Sequence, residues 1–77
     1  MEKEVEITRE PIELYKLIKF EGLAPSGGAA KSLIAEGQVT LNGVVETQKR
    51  KKLVSGDCIE LGETTLKLRL VQAPASS

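Results

Sequence analysis

The chain contains no histidine and no tryptophan, and only one cysteine, one tyrosine and one phenylalanine. Each scarcity removes a class of chemistry. A lone thiol, Cys58, cannot form an intramolecular disulfide. Without histidine, a tetrahedral zinc site of Cys and His ligands cannot be assembled. Ser-His and Cys-His nucleophile pairs are excluded for the same reason. Cys58 lies in an apolar, strand-like stretch with no base to activate it, so it reads as a small core or sheet residue. Glu36 and Asp57 are weak as a carboxylate pair, because Asp57 in Ser55-Gly56-Asp57 reads as a turn residue bonding to backbone amides. No catalysis and no cofactor or metal is expected. No run approaches the ~18 apolar residues of a membrane span. The opening MEKEVEITRE is acidic and lacks the apolar centre of an export signal. A soluble, cytoplasmic protein is therefore expected. With so few aromatics, a platform for stacking single-stranded bases is disfavoured, and aliphatic side chains must fill the interior.

What is present suits one small domain, expected over residues 1–72, with 73–77 as a disordered tail. A 77-residue chain buries only about 60% of its unfolded surface, so its core is small. The composition, 40% hydrophobic and 29% charged, is globular. Eleven Lys and Arg residues balance eleven Asp and Glu, for a net charge of zero. That argues against a general coat for polyanions, but a sum says nothing about clustering. The charges are in fact uneven along the chain: five of the eleven carboxylates fall within Glu2 to Glu13, and Lys49-Arg50-Lys51-Lys52 is the one block of like charge.

Met1 to Thr8 alternates, with Lys3, Val5 and Ile7 on one face, and reads as a half-buried strand. Thr8 to Pro11 looks like a helix entry, since proline is favoured at the first helical position. Leu14, Leu17 and Ile18 then define an amphipathic helix of about three turns, with Gly22 beyond its end as the left-handed stop. Ser26 caps a second helix. Ala30, Leu33 and Ile34 line its buried side, and Gly37 terminates it. The short connector Leu23-Ala24-Pro25 implies that the two helices pack together. Gln38 to Leu41 alternates as a strand, and Asn42-Gly43 is a strong hairpin signal before Val44-Val45 returns. Ser55-Gly56-Asp57 and Gly62-Glu63 mark turns around a strand at Cys58–Leu61. Thr64 to Val71 is the cleanest strand, with Leu66, Leu68 and Leu70 inside and Lys67 and Arg69 outside. If the first and last strands pair, Glu4 and Glu6 face Lys67 and Arg69, where opposite charges are mildly favourable.

Three features are candidates for binding. The first amides of the helix starting Ser26-Gly27-Gly28 lack partners and sit at the positive end of the dipole, which favours anions. Lys31 lies about 60° round the helix from Gly28, so ammonium and amides can converge. From spacing alone the same residues read first as a cap with a close helix–helix approach at Gly27 or Gly28. Lys49, Arg50, Lys51 and Lys52 form a basic segment that is either a phosphate-binding edge or a solvated strand edge guarded against aggregation. Lys16 and Lys19 lie on the solvent face of the first helix and chiefly solubilise it, unless they extend the same patch.

The stretch ELYKLIKFEGLAPSGGAAKSLIAEGQVTLNG, its basic return and VSGDCIEL resemble the RNA-binding domain named after small-subunit ribosomal protein S-four, also called the alpha-L motif. The resemblance spans Leu14 to Leu61 and is similar to the small stand-alone YbcJ/YaaA type, which shares the SGG-x-AK helix start and an RK-rich segment. It implies an α+β fold: two short packed helices against a small antiparallel β-sheet. It implies RNA binding through Ser26, Lys31, Gln38, Thr40 and Asn42, extended by Lys49 to Lys52. Most members are basic where this chain has Gly27, and many have His where it has Gln38. The phosphate contact is therefore expected to pass to the amides of Gly27 and Gly28 or to the basic segment. The expected function is non-catalytic recognition of structured RNA through phosphates and 2′-hydroxyls. By analogy the RNA is ribosomal or transfer RNA and the protein a ribosome-associated monomer. The alternative is a small protein-interaction module that docks an acidic partner on its basic edge.

Overall fold

A computed structural model describes residues 1–71; Gln72, the last residue of the expected domain, and the expected tail at 73–77 lie outside the described residues. The elements in order are β1 (Glu2–Ile7), β2 (Ile12–Glu13), α1 (Leu14–Phe20), α2 (Gly27–Ala35), β3 (Val39–Leu41), β4 (Val44–Val45), β5 (Lys52–Leu53), β6 (Cys58–Leu61) and β7 (Thr64–Leu70). The main sheet has strand order β1-β7-β6-β3-β4, and β2 pairs separately with β5. This is the expected α+β arrangement of two helices on a small sheet. The sheet is antiparallel from β7 through β6 and β3 to β4, and β1 adds to β7 in parallel, which makes it mixed. A parallel pair needs a long crossover. Here everything between Thr8 and Glu63 supplies it.

Alternation decides which sheet face is buried. Val5, Val39, Ile59, Leu66 and Leu68 point inward and meet Leu14, Leu17, Ile18, Ala30 and Ile34 from the helices in one cluster. Each large aliphatic buried this way contributes about 1.5–3 kcal/mol. No polar or charged side chain is buried among the described residues. On the outward face Glu4 stands opposite Lys67 and Glu6 opposite Arg69, in the register expected from the sequence. The ion pairs slip by one step: Lys67 reaches Glu2 at 3.4 Å and Arg69 reaches Glu4 at 3.5 Å. Lys3, at the edge of the inward face, pairs instead with Glu21 at 2.7 Å and so ties β1 to the end of α1.

Local signals set the helix ends. Gly22, at φ 75°, closes α1: its N–H donates to the Lys19 carbonyl, and that of Leu23 to Ile18. Gly37, at φ 77°, repeats the pattern on α2, with N–H groups of Gly37 and Gln38 donating to Ile34 and Leu33. Both are paired left-handed terminations that only glycine adopts without strain. The start of α1 differs from the sequence expectation. Pro11 is not its first residue, and the helix has two turns rather than three. Ile12 and Glu13 are drawn into a ladder with Leu53 and Lys52, so the helix begins only at Leu14. No side chain caps it. Its first amides are satisfied by distant backbone: Leu14 N–H donates to the Lys51 carbonyl at 2.9 Å and Tyr15 N–H to the Lys49 carbonyl at 3.1 Å.

Candidate nucleic-acid interface

Those two bonds place the basic segment. Its backbone is fixed against the start of α1, with a turn closed by Lys51 N–H on the Gln48 carbonyl at 3.1 Å. Lys49, Arg50 and Lys52 are exposed and Lys51 is half-buried. The segment is therefore a pinned loop running into a two-residue ladder, not a long return strand. Arg50 has one acidic neighbour, Glu13, at 3.9 Å. Lys49, Lys51 and Lys52 have no ion-pair partner among the described residues. Glu13, one of the N-terminal cluster of acids in sequence, is thus carried to this segment by the β2–β5 ladder.

Ser26 caps α2 as its sequence position suggests, its Oγ accepting from Ala29 N–H at 3.1 Å. The Ser26 carbonyl accepts from Ala30 N–H at 3.0 Å. Gly27 and Gly28 N–H have no acceptor among the described residues, and they carry the positive end of the helix dipole. Gly27 does lie against Tyr15 of α1, but the approach does not require a glycine at either position. A Cβ on Gly27 would sit 3.7 Å from the Tyr15 ring, an ordinary contact, and one on Gly28 would meet only Ser26 Oγ at 3.9 Å.

Tyr15 joins the parts. Its N–H holds Lys49, its ring edge lies beside Gly27, and the Lys31 ammonium sits over its ring, 4.7 Å from the centroid. A cation over a tyrosine face gains about 0.5–1 kcal/mol at an exposed site, enough to favour one position for an otherwise mobile lysine. Gly27, Lys31 and Lys49 thus each meet one residue that sequence reasoning did not single out, and Ser26, Gly28 and Arg50 to Lys52 are their neighbours in the chain. The only early signal was its place on the flank of α1 in a chain with one other aromatic ring.

The remaining sequence candidates are placed differently. Gln38 lies beyond the far end of α2, and its Nε2 donates to Glu36 at 2.6 Å. Thr40 pairs with Val45 and Glu60. Because its neighbour Val39 points into the core, Thr40 lies on the sheet face away from the helices. Asn42 is built into the scaffold. Its φ of 52° and that of Gly43 at 86° form the two-residue hairpin turn. Its Nδ2 donates to Asp57 Oδ1 at 3.2 Å, and its Oδ1 accepts from Cys58 N–H at 2.9 Å. Asp57 Oδ2 accepts from Val54 N–H at 2.9 Å, the turn role its sequence suggests. This clasp locks the hairpin to the turn that follows the basic segment. Lys16 pairs with Glu13 at 3.1 Å, and Lys19 is exposed in the last turn of α1, where a cation favours the dipole.

The domain model described as "S4 domain" matches residues 5–69. The chain belongs to the S4 domain family. It is 52% identical over 48 residues to YbcJ of Escherichia coli (strain K12), covering 62% of this chain and 69% of that protein. It is 31% identical over 61 residues to a Bacillus subtilis (strain 168) protein named "Probable ribosome maturation protein RlbA", covering 79% of this chain and 86% of that one. The solution structure of YbcJ from E. coli, reported to reveal an alpha-L motif involved in RNA binding, superposes with a TM-score of 0.66. That match has 39% identity and covers 86% of this chain and 85% of the other. The chain therefore carries the alpha-L fold, with the S4 match reaching from β1 to β7.

Proposed function

We propose that this protein binds structured RNA without catalysis, and that it does so on the surface built round Tyr15. One observation carries the reading. In a molecule of zero net charge, Lys49, Lys51 and Lys52 lie without acidic partners among the described residues, and the Lys49 backbone is bonded to Tyr15, whose ring carries the Lys31 ammonium and lies beside Gly27. Cations and helix amides that converge in this way suit phosphate oxygens. The likeness to YbcJ, whose motif is described as involved in RNA binding, supports the same reading. The likeness to a protein named for ribosome maturation favours ribosomal RNA and association with the ribosome; a cytoplasmic monomer is the form we propose acts there.

The scarcity of aromatics favours folded RNA, read by backbone shape and 2′-hydroxyls, over an unstructured strand. Four to six phosphate contacts would give a slope of log K against log salt of roughly −3 to −5. Titration of a ribosomal RNA helix at several salt concentrations measures it. Absence of binding at low salt would remove the reading. A protein partner recovered at fixed stoichiometry, with no RNA cross-link, would replace it with docking of an acidic protein on the basic segment.

A further inference from the structure

The cluster round Tyr15 leaves one concave feature unused. On the other flank of α1 an open cleft of about 420 Å³ lies between that helix and the Ile7–Glu13 stretch. Its lining combines apolar Ile7, Pro11, Ile12 and Phe20 with the cations Arg9 and Lys16. Phe20 is 69% exposed. It is one of two aromatic rings in a chain whose small core would gain from burying it. Its ring instead forms part of the cleft wall. Arg9 makes no ion pair among the described residues, whereas Lys16 is held by Glu13 at 3.1 Å.

The position of the cleft matters as much as its lining. β2 contributes Ile12 and Glu13 to the wall, and its ladder partner β5 contains Lys52. Glu13 stands opposite Lys52 in that ladder and 3.9 Å from Arg50. Through Glu13, one wall of the cleft therefore borders the basic segment.

We propose that this cleft takes one unpaired nucleotide of the bound RNA, its base stacked on Phe20 and its phosphate held by Arg9. The inference rests on the RNA reading above and adds to it the class of RNA: a folded one with a bulged or looped-out residue. Any base presents a flat π face to an aromatic ring, so the stack tolerates any sequence. Arginine stays charged at all working pH values and pairs with phosphate through two N–H groups. The volume lies within the range of small-molecule sites, about 300–1,000 Å³. A single exposed ring limits the site to one base.

Two RNA hairpins test this, one perfectly paired and one identical but for a single bulged adenosine, each titrated by fluorescence anisotropy. The protein should prefer the bulged hairpin by roughly 5- to 100-fold, the range that stacking one base supports. Phe20→Ala, at an exposed position where folding is not at stake, should abolish the preference and leave affinity for the paired hairpin unchanged. Phe20→Trp should keep the preference, and as the only tryptophan its emission should be quenched by the bulged RNA and not by the paired one. Equal affinity for both hairpins, or a preference that survives Phe20→Ala, would overturn the cleft as a nucleotide site while leaving the RNA reading standing. Binding of neither hairpin at low salt would overturn that reading, and the cleft with it.

Discussion

The outer face of the sheet and the surface round Tyr15 are both rich in cations, but they are wired differently. On the sheet, Lys67 and Arg69 stand across from a row of glutamates and are paired with Glu2 and Glu4. Round Tyr15, Lys31 rests on an aromatic ring, and three of the four cations from Lys49 to Lys52 have no ion pair among the described residues. The first arrangement neutralises itself. The second leaves a field that an external anion can satisfy. The difference teaches that net charge is a poor guide to a polyanion-binding surface, because a sum of zero here conceals two separated regions.

The largest expected effect comes from removing the charges that distinguish the two surfaces. Changing Lys49, Arg50, Lys51 and Lys52 together to Ala should weaken binding of structured RNA on the order of 100-fold at low salt and reduce the salt slope by about 3. The loss should be similar for unrelated RNA sequences, because phosphate contacts carry no sequence information. The main-chain carbonyls of Lys49 and Lys51, which cap α1, survive the substitutions, so a circular dichroism melt should show the fold intact. Next in size is Lys31→Met, which keeps the aliphatic stem over Tyr15 and deletes the charge. It should weaken RNA binding roughly 3- to 10-fold and flatten the slope by about 1.

Asn42→Ala separates scaffold from contact. It removes the clasp to Asp57 and Cys58 and places a residue without an amide in a left-handed turn. A stability loss of about 1–2 kcal/mol is expected. In a domain of this size that lowers Tm by roughly 4–16 °C, readable by calorimetry. An unchanged Tm would show that the clasp does not hold the hairpin. The smallest effect should come from Lys67→Ala with Arg69→Ala on the sheet. Exposed pairs of this kind contribute about 0–1 kcal/mol, and RNA affinity should change by less than about 2-fold. A larger loss of affinity would erase the distinction between the two surfaces.

Much of the scaffold was legible because its signals are local. Ser26 caps the helix that follows it, Gly22 and Gly37 end theirs, and Asn42-Gly43 turns the hairpin, each within a few residues. The pairing of the first and last strands was also legible, since alternation and opposite charge suggest which faces meet. Strand direction was not, because a period of two is the same in a parallel and an antiparallel pair. The start of α1 was misjudged for a related reason. Proline at position 11 is a strong local cue, but Ile12 and Glu13 are claimed by a ladder with residues some forty positions later. The site was the least legible part. The bond from Tyr15 to Lys49 and the approach of Arg50 to Glu13 are products of that same ladder, and nothing near either residue announces them. Asn42 had the opposite fate: a polar side chain picked out for RNA proves to be engaged by the protein itself.

The central claim is that RNA meets the surface round Tyr15 and not the sheet. Amide chemical-shift mapping of the labelled protein during titration with a structured ribosomal RNA helix tests this most directly. The amides of Gly27, Gly28, Lys31 and Lys49 to Lys52 should shift most, while those of Glu2 to Glu6 and of Lys67 and Arg69 should stay in place. Shifts concentrated on β1 and β7, with residues 26–31 and 49–52 unmoved, would contradict it.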